Sequence, residues 1–178
     1  MVDSMEDEME IIEGERCPLC LQNTLTLMER VLNIPHFGVT HMFSMHCENP
    51  DCDYHLADLE AEEDKKPVKD SLEISSEEHL QWYIVKSADA TVKIPRMVEL
   101  APGPDSSGFI STIEGLLNRF KTILEELTQD DDKDVAKKAK NHLKKLNRVL
   151  WGRESIKIVL EDKSGNSSFI RERLEFEE

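Results

Sequence analysis

The sequence predicts a mainly β protein carrying one α-helical hairpin. Three observations predict it. Four cysteines fall in two short clusters at the ends of a hairpin-like stretch, Cys17/Cys20 and Cys47/Cys52. Apolar residues alternate along segments near residues 79–94 and 155–176. Between those segments, over residues 111–150, they recur at helical spacing. Period-2 and period-3.6 patterns are the signatures of half-buried strands and amphipathic helices.

Residues 1–15 are acidic and poor in apolar side chains, and are expected to form a tail. The first knuckle follows as Cys17-Pro18-Leu19-Cys20, and the second as Cys47-Glu48-Asn49-Pro50-Asp51-Cys52. A CxxC turn sets two thiolates on one ion, and a second knuckle closes a tetrahedral site with no open position. The four thiolates Cys17, Cys20, Cys47 and Cys52 therefore predict structural Zn2+. The alternatives, two disulfides or a redox pair, fit an oxidising compartment or a catalytic thiol, and nothing in the chain looks secreted. His46 and His55 flank the second pair as alternative ligands.

Leu25, Leu27, Val31 and Ile34 suggest an outgoing strand, Pro35-His36-Phe37-Gly38 a turn, and Val39, His41, Phe43 and Met45 a returning strand. Such a hairpin brings both knuckles to one end, so residues 16–58 read as a zinc ribbon. Asp53, after the last cysteine, stands where a ribbon often needs positive φ. Residues 59–75 read as a charged linker and 76–178 as a β domain. Within it Leu80–Val85 also fits a short helix, but strand formers dominate.

Ser111-Thr112-Ile113-Glu114 fits a capping box, with the serine as cap. Ile113, Leu116, Leu117, Phe120, Ile123, Leu124 and Leu127 form one apolar stripe. Gln129–Asp132 breaks the pattern, and Val135, Ala139, Leu143, Leu146 and Leu150 share a face of the next helix. The two form a hairpin at 111–150. Ile156, Ile158 and Leu160 then alternate, Asp162–Asn166 turns, and Ile170, Leu174 and Phe176 alternate on the return.

The chain has 178 residues and a formal net charge of −15, from 37 acidic and 22 basic residues. That balance opposes general affinity for nucleic acid, which rests on counterion release by lysine and arginine. The exception is Lys133–Arg148, with seven basic residues and one acid. Lys144 and Lys145 in it are the candidates for an anionic partner, although lysines opposite an apolar stripe are usually a solvated face. No apolar run approaches the roughly 20 residues that span a bilayer. The expected compartment is the cytoplasm. No nucleophile–base pair or phosphate loop stands at motif spacing, so enzymatic activity is not expected. Gly115, inside the first helix, costs roughly 1 kcal/mol relative to alanine. Its small size points either to close packing of the helix on the β domain or to a partner lying on Ile113, Glu114 and Gly115.

Several strings then coincide in order: Cys17–Cys20, Asn33–Gly38, Cys47–Tyr54, Val85–Ser87, Ala90–Pro95, Ser111–Gly115 and Gly165–Ser167. Together they resemble the ZPR zinc-finger family, in the single-module form of archaeal members. The resemblance implies a ribbon-like zinc finger followed by a double-stranded β-helix domain with a helical hairpin insertion. It also implies a chaperone-like partner role toward translation elongation factor 1A, or its archaeal counterpart. The chain departs from the family pattern in its longer second knuckle, Asp53 in place of glycine, Trp82 in place of a frequent arginine, and Lys163 in place of a common proline.

Overall fold

A computed structural model describes residues 9–35, 37–63, 65–103 and 106–173. The expected turn residue His36 and the strand residues Leu174 and Phe176 lie outside them.

The N-terminal sheet is an antiparallel meander of β1 (Met9–Arg16), β2 (Asn23–Ile34), β3 (Gly38–Cys47) and β4 (His55–Ala61). The expected β2–β3 hairpin is present, pairing Leu25 with Cys47 and Ile34 with Gly38. The predicted face of Leu25, Leu27 and Met45 packs at the tip, while at the base Leu32, Ile34, Thr40 and Met42 of the opposite face turn inward. Two strands of this sheet, β1 and β4, extend beyond the expected ribbon of 16–58. Residues 9–15, read as tail, belong to β1, which pairs Ile11 with Met28 and Ile12 with Leu27. Composition understated them because a strand at a sheet edge needs backbone hydrogen bonds more than burial, and every residue of β1 is exposed. Its register slips between Ile12 and Glu15, where Gly14 supplies the positive φ of 78° that the irregularity requires.

The stretch expected to be a linker, 59–75, is also largely strand. Leu59 and Ala61 end β4, and β5 (Val68–Ile74) opens the second unit. In β5 Lys69 and Glu73 are exposed, Asp70 is half-buried and paired with Arg171, and Leu72 and Ile74 are buried. Part of the charge that suggested a linker, Lys69 and Glu73, is the solvent face of an alternating strand.

A 3-10 turn (Glu77–Gln81) leads into β6 (Tyr83–Lys86), so Leu80–Val85 is divided between turn and strand. β7 (Thr91–Ile94), β8 (Val98–Leu100) and β9 (Phe109–Thr112) follow. After them come helices α1 (Ile113–Leu127) and α2 (Lys133–Leu150), then β10 (Ile156–Asp162) and β11 (Ser168–Ile170). The strands form two sheets, ordered β5-β10-β7-β8 and β11-β6-β9. This is a jelly-roll-like double sheet, with the helical hairpin inserted between β9 and β10.

The hairpin starts later than 111, since Phe109–Thr112 is strand. Thr112, not Ser111, caps α1: its hydroxyl accepts from the Gly115 amide at 3.1 Å. Asp132 caps α2, accepting from the amides of Asp134 and Val135. The apolar stripes of both helices close over β5, β7 and β10. Leu116, Leu117, Phe120 and Leu124 from α1 and Leu146 and Val149 from α2 join Leu72, Ile74, Val92, Ile158 and Leu160 in one core.

A second cluster crosses the boundary where a charged linker is expected. Ile34, Phe37, Leu59 and Ala61 of the meander pack with Val85 and Ile170 of the jelly roll. Polar bonds stitch the same seam: the Ala88 amide donates to Asp58 Oδ1 at 2.6 Å, and the Gly108 amide donates to the Ala57 carbonyl at 2.8 Å. At Gly108 a Cβ would lie 2.8 Å from Asp58 Cα, so only glycine allows that approach. The two units are thus not separable modules on a linker. They share a core.

Candidate metal centre and partner-facing residues

A meander sends its first and third connections to the same end. Cys17 follows β1, Cys20 precedes β2, Cys47 ends β3 and Cys52 precedes β4, so both knuckles meet at one tip. All four Sγ atoms lie within 4.8 Å of one another. The closest pairs are Cys20–Cys47 at 3.7 Å and Cys17–Cys52 at 3.9 Å. Zinc with sulfurs at about 2.3 Å in a tetrahedron has them about 3.8 Å apart, so the cage fits the ion. An S–S bond is about 2.05 Å, so these pairs are not disulfides.

The turns are held by their backbones. Leu21 donates to the Cys17 carbonyl at 3.0 Å, Cys17 to Gln22, Cys47 to Tyr54, and Cys52 to Asn49. Positive φ falls at Leu21 (62°), just after the first knuckle, rather than at the expected Asp53. The CxxC turn, being shorter, must reverse more sharply than the six-residue second knuckle. Cys17 and Cys47 are buried against Leu25, while Leu27, Met45 and Tyr54 pack around them. The hydroxyl of Thr24 sits 3.2 Å from Cys47 Sγ, within hydrogen-bond reach of that sulfur. Thr24 was not singled out in the sequence, although it stands four residues after Cys20 at the start of β2.

Four thiols so close cannot all ionise unaided. The backbone N–H of Gln22 is the largest influence on Cys20 and brings its pKa down to about 6. At Cys52 the Tyr54 N–H works in the same direction, but burial and three neighbouring thiols prevail and push it up to about 12. A divalent cation removes that conflict by taking all four as thiolates. His46 and His55 pair across β3 and β4, outside the sulfur cluster, and the His55 ring bonds the Asp53 carbonyl at 2.9 Å.

The residues considered for a partner are dispersed. Ile113 is fully buried in the helical core, so no partner reaches it. At Gly115 a Cβ would collide with Ser111 Oγ, which accounts for the glycine through the crowded cap. Ser111 belongs to β9, so the contact is one of the helix start against the β domain. Glu114 is exposed and lines an open groove of about 640 Å³ with Glu77, Trp151 and Arg153. Trp151, 59% exposed, gives no periodic signal because it follows the end of α2. Lys144 and Lys145 are exposed on α2, and Lys145 pairs with Glu154 at 3.7 Å. No helix among the described residues is long and apolar enough to cross a membrane.

Residues 78–177 match the family model described as the ZPR1 jelly-roll domain, which agrees with the double sheet found there. A ZPR1-like protein of Methanocaldococcus jannaschii is 34% identical over 95% of this chain and 86% of its own length. Another from Pyrococcus horikoshii is 28% identical over 89% of this chain and 73% of its own. The zinc finger protein ZPR1 of Bos taurus is 24% identical over 93% of this chain, which spans only 37% of that longer protein. The relative in Schizosaccharomyces pombe, 27% identical over 85% of this chain and 33% of its own length, is named a zinc finger chaperone. With a fitting sulfur cage, a matching jelly roll and archaeal relatives aligned over most of their own length, this chain belongs to the ZPR1 family and carries its zinc-binding module.

Proposed function

We propose that Cys17, Cys20, Cys47 and Cys52 hold one zinc ion, and that the zinc-held protein binds translation elongation factor 1A or its archaeal counterpart and assists its folding. The observation that carries this reading is family membership along nearly the whole chain, including a relative named as a zinc finger chaperone. The surfaces are compatible with it. The metal tip exposes Leu19 and Leu21, and the groove beside α1 exposes Glu114, Trp151 and Arg153. Tryptophan and arginine are the side chains that most often anchor protein interfaces. Of the residues considered from sequence, Glu114 remains at that surface, with Lys144 and Lys145 as the basic alternative on α2.

The test is refolding of the elongation factor with and without this protein, reading both complex formation and recovered nucleotide binding. Complex and improved recovery are expected, with Glu114→Lys weakening both. A double charge reversal, Lys144→Glu with Lys145→Glu, should leave them unchanged if α2 is only a solvated face. If neither complex nor improved recovery appears while the protein retains RNA at moderate salt, the nucleic-acid reading of the basic helix replaces this one.

A further inference from the structure

Lys86 is only 2% exposed, and its Nζ donates to the Ser87 carbonyl at 2.9 Å. No carboxylate among the described residues pairs with it. Asp58 and Asp162 are near enough to favour its charge, yet both are committed elsewhere. Asp58 Oδ1 accepts from the Leu59 and Ala88 amides. Asp162 accepts from the hydroxyls of Ser87, Ser164 and Ser167 and from the Ser164 amide. Burial pushes the Lys86 pKa down, with Asp58, Asp162 and Asp89 opposing. Lys86 is thus a desolvated amine with carboxylates nearby but no direct ion pair among the described residues.

A second cation stands beside it. The guanidinium of Arg119, on α1, stacks 4.3 Å from the centre of the Phe109 ring, and Lys86 Nζ lies 5.8 Å from that same centre. Arg119 is exposed and has no carboxylate partner among the described residues. Both cations line an open groove of about 670 Å³ where β8 and β9, end strands of the two sheets, diverge against α1. Leu100, Phe109 and Ile123 give it apolar walls, and Ser106 adds a hydroxyl. Glu99 also lines the groove, exposed and paired with neither cation.

We propose that this groove binds a carboxylate carried on an extended acidic peptide segment of a protein partner, gripped by Lys86 and Arg119. A guanidinium offers a fork of donors matched to a carboxylate, and a desolvated ammonium adds a point charge in a medium of low dielectric. The apolar walls take the aliphatic groups flanking such a carboxylate. The net charge of −15 repels a polyanion at long range, so a single carboxylate seated between Lys86 and Arg119, away from Glu99, is the better match. The site goes beyond the proposed function: it shares no residue with the sulfur cage or with the groove of Glu114 and Trp151.

The experiment uses the whole zinc-loaded protein, isotopically labelled, titrated at constant ionic strength and followed by NMR. The probes are acetyl-Val-Glu-Val-amide, its glutamine counterpart, and inorganic phosphate. The glutamate peptide should cause saturable shifts at the Phe109 amide and at Arg119 Nε. The glutamine peptide should bind about tenfold more weakly, the scale of one lost charged hydrogen bond. Arg119→Gln, on the exposed face of α1, should weaken the glutamate peptide by a similar factor and leave the glutamine peptide unchanged. Lys86→Met should do the same, and should it not fold, Arg119→Gln alone decides. Absence of saturable shifts, equal binding of the two peptides, or undiminished binding by Arg119→Gln overturns the proposal. Phosphate binding tighter than the glutamate peptide also overturns it, in favour of a phosphate ligand.

Discussion

The two ends of the N-terminal sheet are held in different ways. At the tip, Cys17, Cys47 and Leu25 are the only buried members of a small cluster completed by half-buried neighbours. Too little apolar surface is gathered there to offset the entropy of ordering two loops, and the metal must supply the difference. At the base, Ile34, Phe37, Leu59 and Ala61 enter a core shared with Val85 and Ile170 of the jelly roll. The same strands β2, β3 and β4 run from one regime to the other. Dependence on metal should therefore be graded along the strands, not divided at a domain boundary.

The strongest way to break this comparison is to remove the metal. Structural zinc in such sites contributes about 10–16 kcal/mol of apparent binding energy at neutral pH, more than a whole domain's usual stability. Cys47→Ser, or chelation of the native protein, should abolish stoichiometric zinc and strip amide protection from residues 17–27 and 45–54. Protection near Ile34, Leu59 and the helical core should persist. Hydrogen exchange by mass spectrometry reads the gradient. Uniform loss along the chain would show one cooperative unit held by zinc throughout. Full zinc occupancy in the serine variant would remove Cys47 from the ligand set.

The converse perturbation acts at the base. Leu59 is 2% exposed, and truncation to alanine there should cost about 2–5 kcal/mol in chemical denaturation. Because the cluster spans both units, the loss should lower the midpoints of tip and jelly-roll probes together, with zinc still at one per chain. A fall confined to the meander would mean that the seam contributes little to the jelly roll.

A smaller effect sharpens the contrast through pH. Burial raises the Asp162 pKa, but hydroxyls of Ser167, Ser164 and Ser87 outweigh it and hold the group below its ordinary 3.8. A carboxylate whose folded pKa is depressed adds stability above the unfolded value, and that stability is lost as pH falls through the folded one. Asp162→Asn should therefore destabilise the protein by about 1–3 kcal/mol at neutral pH and flatten the loss of stability in acid. The comparison belongs on chelated protein, since acid also protonates the cysteines. An unchanged acid limb would assign the loss to other carboxylates, such as Glu161 between Lys69 and Lys93.

By itself the sequence determined what depends on neighbours along the chain. The knuckle spacing, the β2–β3 hairpin and the two helical stripes each arise from a few consecutive turns or residues, and the structure contains all of them. The cap was misplaced by one residue because Ser111 and Thr112 have nearly the same chemistry, and only the path of β9 decides which is first to leave the helix. What lay beyond the sequence depends on partners far along the chain. β5 becomes a strand by pairing Ser71 with Val159, and β1 by pairing with β2 in spite of its exposed, acidic face. The shared core likewise required Leu59 to meet Ile170. The cationic groove arises the same way: Lys86 on β6 and Arg119 on α1 carry no joint signature in sequence. Tertiary structure decided these features, because burial and pairing across the fold outweigh the local charge that made those segments look like tail and linker.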